Sequence, residues 1–239
     1  LPSDVDLLVP AAHLAEAEAR LKRRGWLSVD LHVYDDRYYR DWSHEIPPMH
    51  HPERAIEVDL HHQVTPSMTG MGMDVNRLWQ AIRPCGAFHV LDPLDQVLHC
   101  AVHTFKDSDF GGRLREVMDL DLLIRHFGAT DPEGFARALD ARADDFGVRP
   151  VWRLAARTAH RWLGTPLSGA PLDEGAMHGR WFDRWLDLSM LPGARQQPTP
   201  GVALVRAAML ARYHWHRMPM RLLVPHLIEK SRRRWVPGR

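Results

Sequence analysis

Three aspartates carry most of the chemical interest of this chain. Asp4 and Asp6 stand two apart in Ser3-Asp4-Val5-Asp6-Leu7-Leu8-Val9. On a strand that spacing points both side chains to one face. Two carboxylates held a few ångströms apart raise one another's pKa unless a cation lies between them. Hard oxygen ligands with few protein neighbours suit Mg²⁺ (or Mn²⁺), which keeps waters and completes its shell with substrate phosphates. The plain alternative is an exposed acidic strand end. A second stretch, Ala55 to Val64, places Glu57, Asp59 and His61 on the face opposite Ile56, Val58 and Leu60. If the two strands are neighbours, Asp59 reaches the same cation as Asp4 and Asp6. Three carboxylates from two strands can hold one or two metal ions for in-line phosphoryl or nucleotidyl displacement. An Asp buried without a partner in a Val/Leu strand is costly, so Asp59 needs one.

The other candidates have two readings each. Lys106, Arg113 and Arg115 can bind a triphosphate, since arginine presents a forked donor to phosphate oxygens. Arg115 and Asp119 are equally placed for an ordinary i,i+4 helix pair. His61 can orient substrate or a metal-bound water, or be a hydrogen-bonded rim histidine. His99 and His103 sit one above the other on a helix face. No Glu follows His99 and no third soft ligand is evident, so the metalloprotease pattern is absent. His103 is then a candidate for lining a nucleotide cleft. Trp152, Trp162, Trp181, Trp185 and Trp215 fall at helical spacing among Leu and Ala and read as core. Arg232-Arg233-Arg234-Trp235 reads as a solvated basic tail.

The elements that must position these residues follow from periodicity. Val5, Leu7 and Val9 alternate as in a half-buried strand. Ala11 to Arg24 reads as a helix with Leu14, Ala17 and Leu21 as its apolar stripe, and Gly25 ends it. Trp26 to Val33 is a second strand. Tyr34 to Pro52 reads as a loop with a short strand around Ser43 to Ile46, and Thr65 to Met73 as another loop. Asp74 to Ile82 is a short helix and Phe88 to Leu91 a short strand. Asp92-Pro93 then gives an N-cap and a first-turn proline. Helices are expected over Leu94 to Phe105, Arg113 to Phe127, Asp131 to Gly147, Val151 to Leu163, Asp173 to Leu191, Val202 to Met218 and Met220 to Arg234. The expected architecture is α+β, with a small mixed sheet module over 1–91 and a helical module over 92–239.

Composition bounds the function classes. The 239 residues are 45% hydrophobic, enough for one large domain or two smaller ones. The formal net charge of +1 offers no global field for nucleic acid or an anionic membrane. No apolar run approaches the ~20 residues that span a bilayer, and no signal peptide is visible. Two cysteines, Cys85 and Cys100, make no disulfide framework, which points to a reducing cytoplasm. The chain opens inside a strand without an initiator Met, so an upstream segment is expected.

Several pieces then line up in order. They are the Ser3 to Val9 strand with its helix ending at Gly25, Val58-Asp59-Leu60-His61, Leu98-His99-x-x-x-His103, and Arg113-Leu114-Arg115-x-x-x-Asp119-Leu120. Together, over roughly residues 3 to 127, they resemble the nucleotidyltransferase superfamily, and within it a bacterial group of uncharacterised nucleotidyltransferases. The resemblance implies that Asp4, Asp6 and Asp59 bind the catalytic metals and that an NTP is the donor. Ser3, His61, His103, Lys106 and Arg115 are the candidate nucleotide contacts. The superfamily also has a Gly-Ser turn upstream that binds phosphates, which this sequence does not contain. The expected activity is Mg²⁺-dependent transfer of NMP to an acceptor that the sequence does not identify. The rivals are a nucleotide- or partner-binding module that kept the fold without the catalysis, and a metal-dependent hydrolase using His61, His99 and His103.

Overall fold

The structure, a computed structural model, describes residues 4–29, 43–65, 72–107, 113–167, 180–190 and 199–217. The fold is mixed α+β, with a four-stranded sheet near the start of the chain and helices after it. It divides into two compact units, Leu1–Val75 and Asn76–Arg239. The composition of the sequence places the boundary at 91/92. Helix and hairpin residues between the two positions group with the second unit.

In the first unit, β1 (Asp4–Leu8) runs into a single 3₁₀ turn at Ala11–His13 and then α1 (Leu14–Arg23). Pro10 has no N–H and no side chain that could cap a helix, so the chain enters α1 through that tighter turn. Gly25 ends α1 at φ +88°, a left-handed conformation that a side chain resists. β2 (Leu27–Ser28), β3 (Met49–His51) and β4 (Arg54–His61) complete the sheet, in the order β1-β4-β3-β2. β1 pairs with β4 in parallel and the other two pairings are antiparallel.

Two sequence expectations change here. A strand, β3, lies inside the stretch read as a loop. The short strand expected around Ser43 to Ile46 is a single bridge between Glu45 and His61. Three residues between Pro48 and Pro52 are too few for alternation to register, and β3 forms because β4 offers it partners. The rest of the second expected strand, beyond Val29, and most of the Thr65 to Met73 loop lie outside the described residues.

The core of this unit is Trp26, Ile46, Met49, Val58 and Leu60, with Leu7, Leu14, Ala17 and Leu21 packed against it. Alternation explains the rest. Leu7, Val58 and Leu60 share the face that α1 covers, while Val5, on the same face at the start of β1, is exposed. Asp4, Asp6, Glu57, Asp59 and His61 share the other.

The second unit opens with α2 (Val75–Ala81) and a hairpin of β5 (Arg83–Cys85) and β6 (Phe88–Val90), turned at Gly86. The sequence reading had only β6. α3 (Pro93–Val102) is capped as expected, the Asp92 carboxylate accepting from the Leu94 N–H. It then widens into a π turn at His103–Asp107. α4 (Leu114–Phe127), α5 (Pro132–Asp145) and α6 (Arg149–Leu163) pack around α3 over Val97, Leu98, Val117, Leu120, Leu139 and Trp152. α7 (Arg180–Met190) and α8 (Pro200–Arg217) follow. Trp152 is core, as expected. Trp162 is half-buried, its indole N–H donating to Asp187. Trp181 and Trp185 are corrected, since both are exposed, Trp181 by 79%. Helical spacing defines a stripe but does not say that another element covers it. The side chain of Trp215, the helix expected over Met220 to Arg234, and the basic tail lie outside what is described. Among the described residues no helix is long and apolar enough to cross a membrane.

Candidate functional site

The site grows from the β1–β4 ladder. Parallel pairing sets Asp4 beside Glu57, Asp6 beside Asp59 and Leu8 beside His61. Side chains of paired residues leave the same face of a sheet about 5 Å apart. The ladder is closed by the Val9 N–H donating to the His61 carbonyl at 2.8 Å, and Pro10, with no donor, stops it there. The condition set by the sequence, that the two strands be neighbours, is therefore met. Asp6 and Asp59 are direct partners.

The electrostatics follow from that crowding. Burial raises the Asp59 carboxyl above its ordinary value. The charges of Asp6, Asp4 and Glu57 add to the rise and His61 opposes it. Asp59 Oδ1 is buried and finds no hydrogen-bond partner among the described residues. His61 Nε2 lies 2.9 Å from Asp6 Oδ1 and 3.5 Å from Glu45 Oε2. Burial alone would lower the His61 pKa, but the Asp6 hydrogen bond and the charges of Glu45, Asp6 and Asp59 carry it above its usual value.

An oxygen-rich face with surplus negative charge and an orphaned carboxylate oxygen fits a hard divalent cation. Asp6 and Asp59, paired across the strands, are the residues that could hold it, with Asp4 one step farther along β1 and not drawn into a tight trio with them. Asp6 is open to solvent, its side chain 69% exposed, so the face is accessible to substrate.

Of the other sequence candidates, Ser3 lies outside the described residues. His61 joins the carboxylates. His103, Lys106 and Arg115 belong to the second unit. His103 begins the π turn, with its ring 6.2 Å from that of His99. Lys106 sits in the same turn, half-buried. Arg115 is 87% exposed and 4.0 Å from Asp119, a loose surface ion pair. Arg113 is bound to Glu116 at 2.8 Å.

Sequence reasoning missed His44 and Glu45. Together with His61 they form the one group of three metal-ligating side chains found among the described residues, and it does not include His99 or His103. Only the bridge to β4 brings them together, and no local signal announces it.

With this geometry in view, comparison with known proteins adds the family. Residues 1–164 match the family described as uncharacterised nucleotidyltransferase. The chain belongs to that family. No curated protein and no solved structure matches it. The match takes in the whole β1–β4 face of this family member and its helices through α6. It ends at Gly164, whose left-handed conformation also ends α6.

Proposed function

We propose that this nucleotidyltransferase transfers NMP from an NTP to an acceptor hydroxyl, with Mg²⁺ held by Asp4, Asp6 and Asp59. The observation that carries the reading is the pairing of Asp6 with Asp59 on one accessible sheet face, with Asp4 two residues along the same strand. Bound there, Mg²⁺ would neutralise charge on the triphosphate oxygens and orient them. Asp4 and Asp6 supply the anionic oxygens. The His61 hydrogen bond fixes the Asp6 carboxylate, which saves ordering it at each turnover. Asp59, paired with Asp6, would share the metal that activates the acceptor hydroxyl. The acceptor oxygen bonds to the α-phosphorus, the α–β phosphoanhydride breaks, and pyrophosphate leaves with its electron pair.

The test is a thermal shift with each of the four NTPs, with and without Mg²⁺, beside an Asp4→Asn/Asp59→Asn double variant. A ligand at ~100 times its Kd adds about 2.7 kcal/mol of stability. A Mg²⁺-dependent rise for one NTP, absent from the double variant, supports the reading and names the donor. No rise with any NTP would instead favour a module of this fold without catalysis.

A further inference from the structure

We infer a second metal site, of the zinc class, built by His44, Glu45 and His61 and distinct in chemistry from the carboxylate site proposed for nucleotidyl transfer. One ligand atom from each residue lies within 4.8 Å of the other two. Glu45 Oε2 is the hub, 3.5 Å from His61 Nε2 and 3.8 Å from His44 Nε2. Tetrahedral zinc, with bonds near 2.0–2.2 Å, separates its donors by about 3.3 Å. The observed spacings, 3.5 and 3.8 Å about Glu45 and within 4.8 Å for the whole group, are wider than that, so the side chains must turn inward to meet an ion.

The backbone holds the three residues in place. Glu45 bridges His61 across antiparallel chains. On either side of it the Ile46 N–H donates to the Leu60 carbonyl at 3.0 Å, and the His62 N–H to the His44 carbonyl at 2.9 Å. All three side chains are largely shielded, His61 being only 15% exposed. Little ordering remains to be done on binding.

The donor set decides the ion. Two imidazoles and one carboxylate match the ligands of open zinc sites, whereas Mg²⁺ prefers oxygen in near-ideal octahedra. Zinc on His61 Nε2 takes the place of the 2.9 Å hydrogen bond to Asp6 Oδ1, so the ion and that hydrogen bond are alternatives.

The experiment uses the full chain stripped with EDTA. It is titrated with Zn²⁺ against a chromophoric chelator, and with Co²⁺ followed by visible absorption. One equivalent of Zn²⁺ is expected to bind and to resist excess Mg²⁺, with Co²⁺ giving the intense bands of a low-coordinate nitrogen–oxygen site. His44→Gln and Glu45→Gln should each weaken binding about tenfold or more, while Asp59→Asn keeps it. Far-UV circular dichroism of the metal-free variants checks their folding. If His44→Gln fails to fold, Glu45→Gln carries the comparison. No stoichiometric Zn²⁺, or equal binding by wild type and a folded variant, would overturn the site and assign any bound ion to the chain's other histidines. Loss of NTP binding in the preceding test leaves this measurement unaffected, so the two readings can fail separately.

Discussion

Asp59 is the residue on which function and stability pull apart. Its carboxyl is raised by burial and by three neighbouring carboxylates, so the folded chain holds its proton more tightly than the unfolded chain does. The stability linked to Asp59 is thus fullest below its ordinary value of 3.8 and is lost as pH rises through the raised one. His61 is raised as well, so its contribution is complete below 6.5 and is lost as pH climbs through its own folded value. In metal-free protein the melting temperature should therefore fall in two steps with rising pH. Asp59→Asn should remove the lower step and raise the neutral-pH melting temperature, while abolishing nucleotidyl transfer. Differential scanning calorimetry over a pH series reads both, and an unchanged profile in Asp59→Asn would remove the crowding argument. Asp4, Asp6 and Asp59 were legible in the sequence because two-residue spacing and Val/Leu alternation fix their face once a strand is granted. His44 and Glu45 were not, because their meeting with His61 depends on a chain reversal that no local spacing encodes.

At the scale of elements, the turn after α1 constrains the sheet. Gly25 sits at φ +88°, and a methyl group there would come within 2.9 Å of His51 Nε2. That ring also faces Trp26 edge-on and approaches the Arg24 carbonyl at 3.3 Å. Gly25→Ala therefore meets backbone strain and a displaced β3 side chain together. It should cost about 1–3 kcal/mol, measured by urea unfolding. A loss near zero would mean that the turn relaxes freely. Gly25 was readable as a helix stop, as were α1, β4 and the Asp92 and Asp131 caps, because each carries its own local signal. β3 and β5 were not, since three-residue strands exist only through their partners.

Across the whole molecule, each unit has its own core, and the core of the second contains a charge. Asp95 is fully buried on α3 and takes two hydrogen bonds from Arg142 of α5, at 2.7 and 2.9 Å. The Arg142 guanidinium lies 4.4 Å from the centre of the Phe146 ring. Removing one member of such a pair leaves the other charged and dry. Arg142→Leu should thus destabilise the chain by about 3–5 kcal/mol, measured by chemical denaturation. An Asp95→Asn/Arg142→Leu double variant should recover part of that loss. The i,i+4 pairs of the sequence reading concerned single helices, so a pair 47 residues apart escaped it.

The order in which the chain can fold adds one consequence of the β1–β4 ladder. Its two strands lie far apart along the first unit, and the Asp6–His61 hydrogen bond across them spans 55 positions. Parallel strands cannot be joined by a tight turn, so this seam is a long-range contact of the kind that slows folding. Closing it brings Asp6 against Asp59 and Asp4 against Glu57. A long-range contact is thus also one that like charges oppose. Added Mg²⁺ or mild acid should therefore speed refolding, measured by stopped-flow fluorescence.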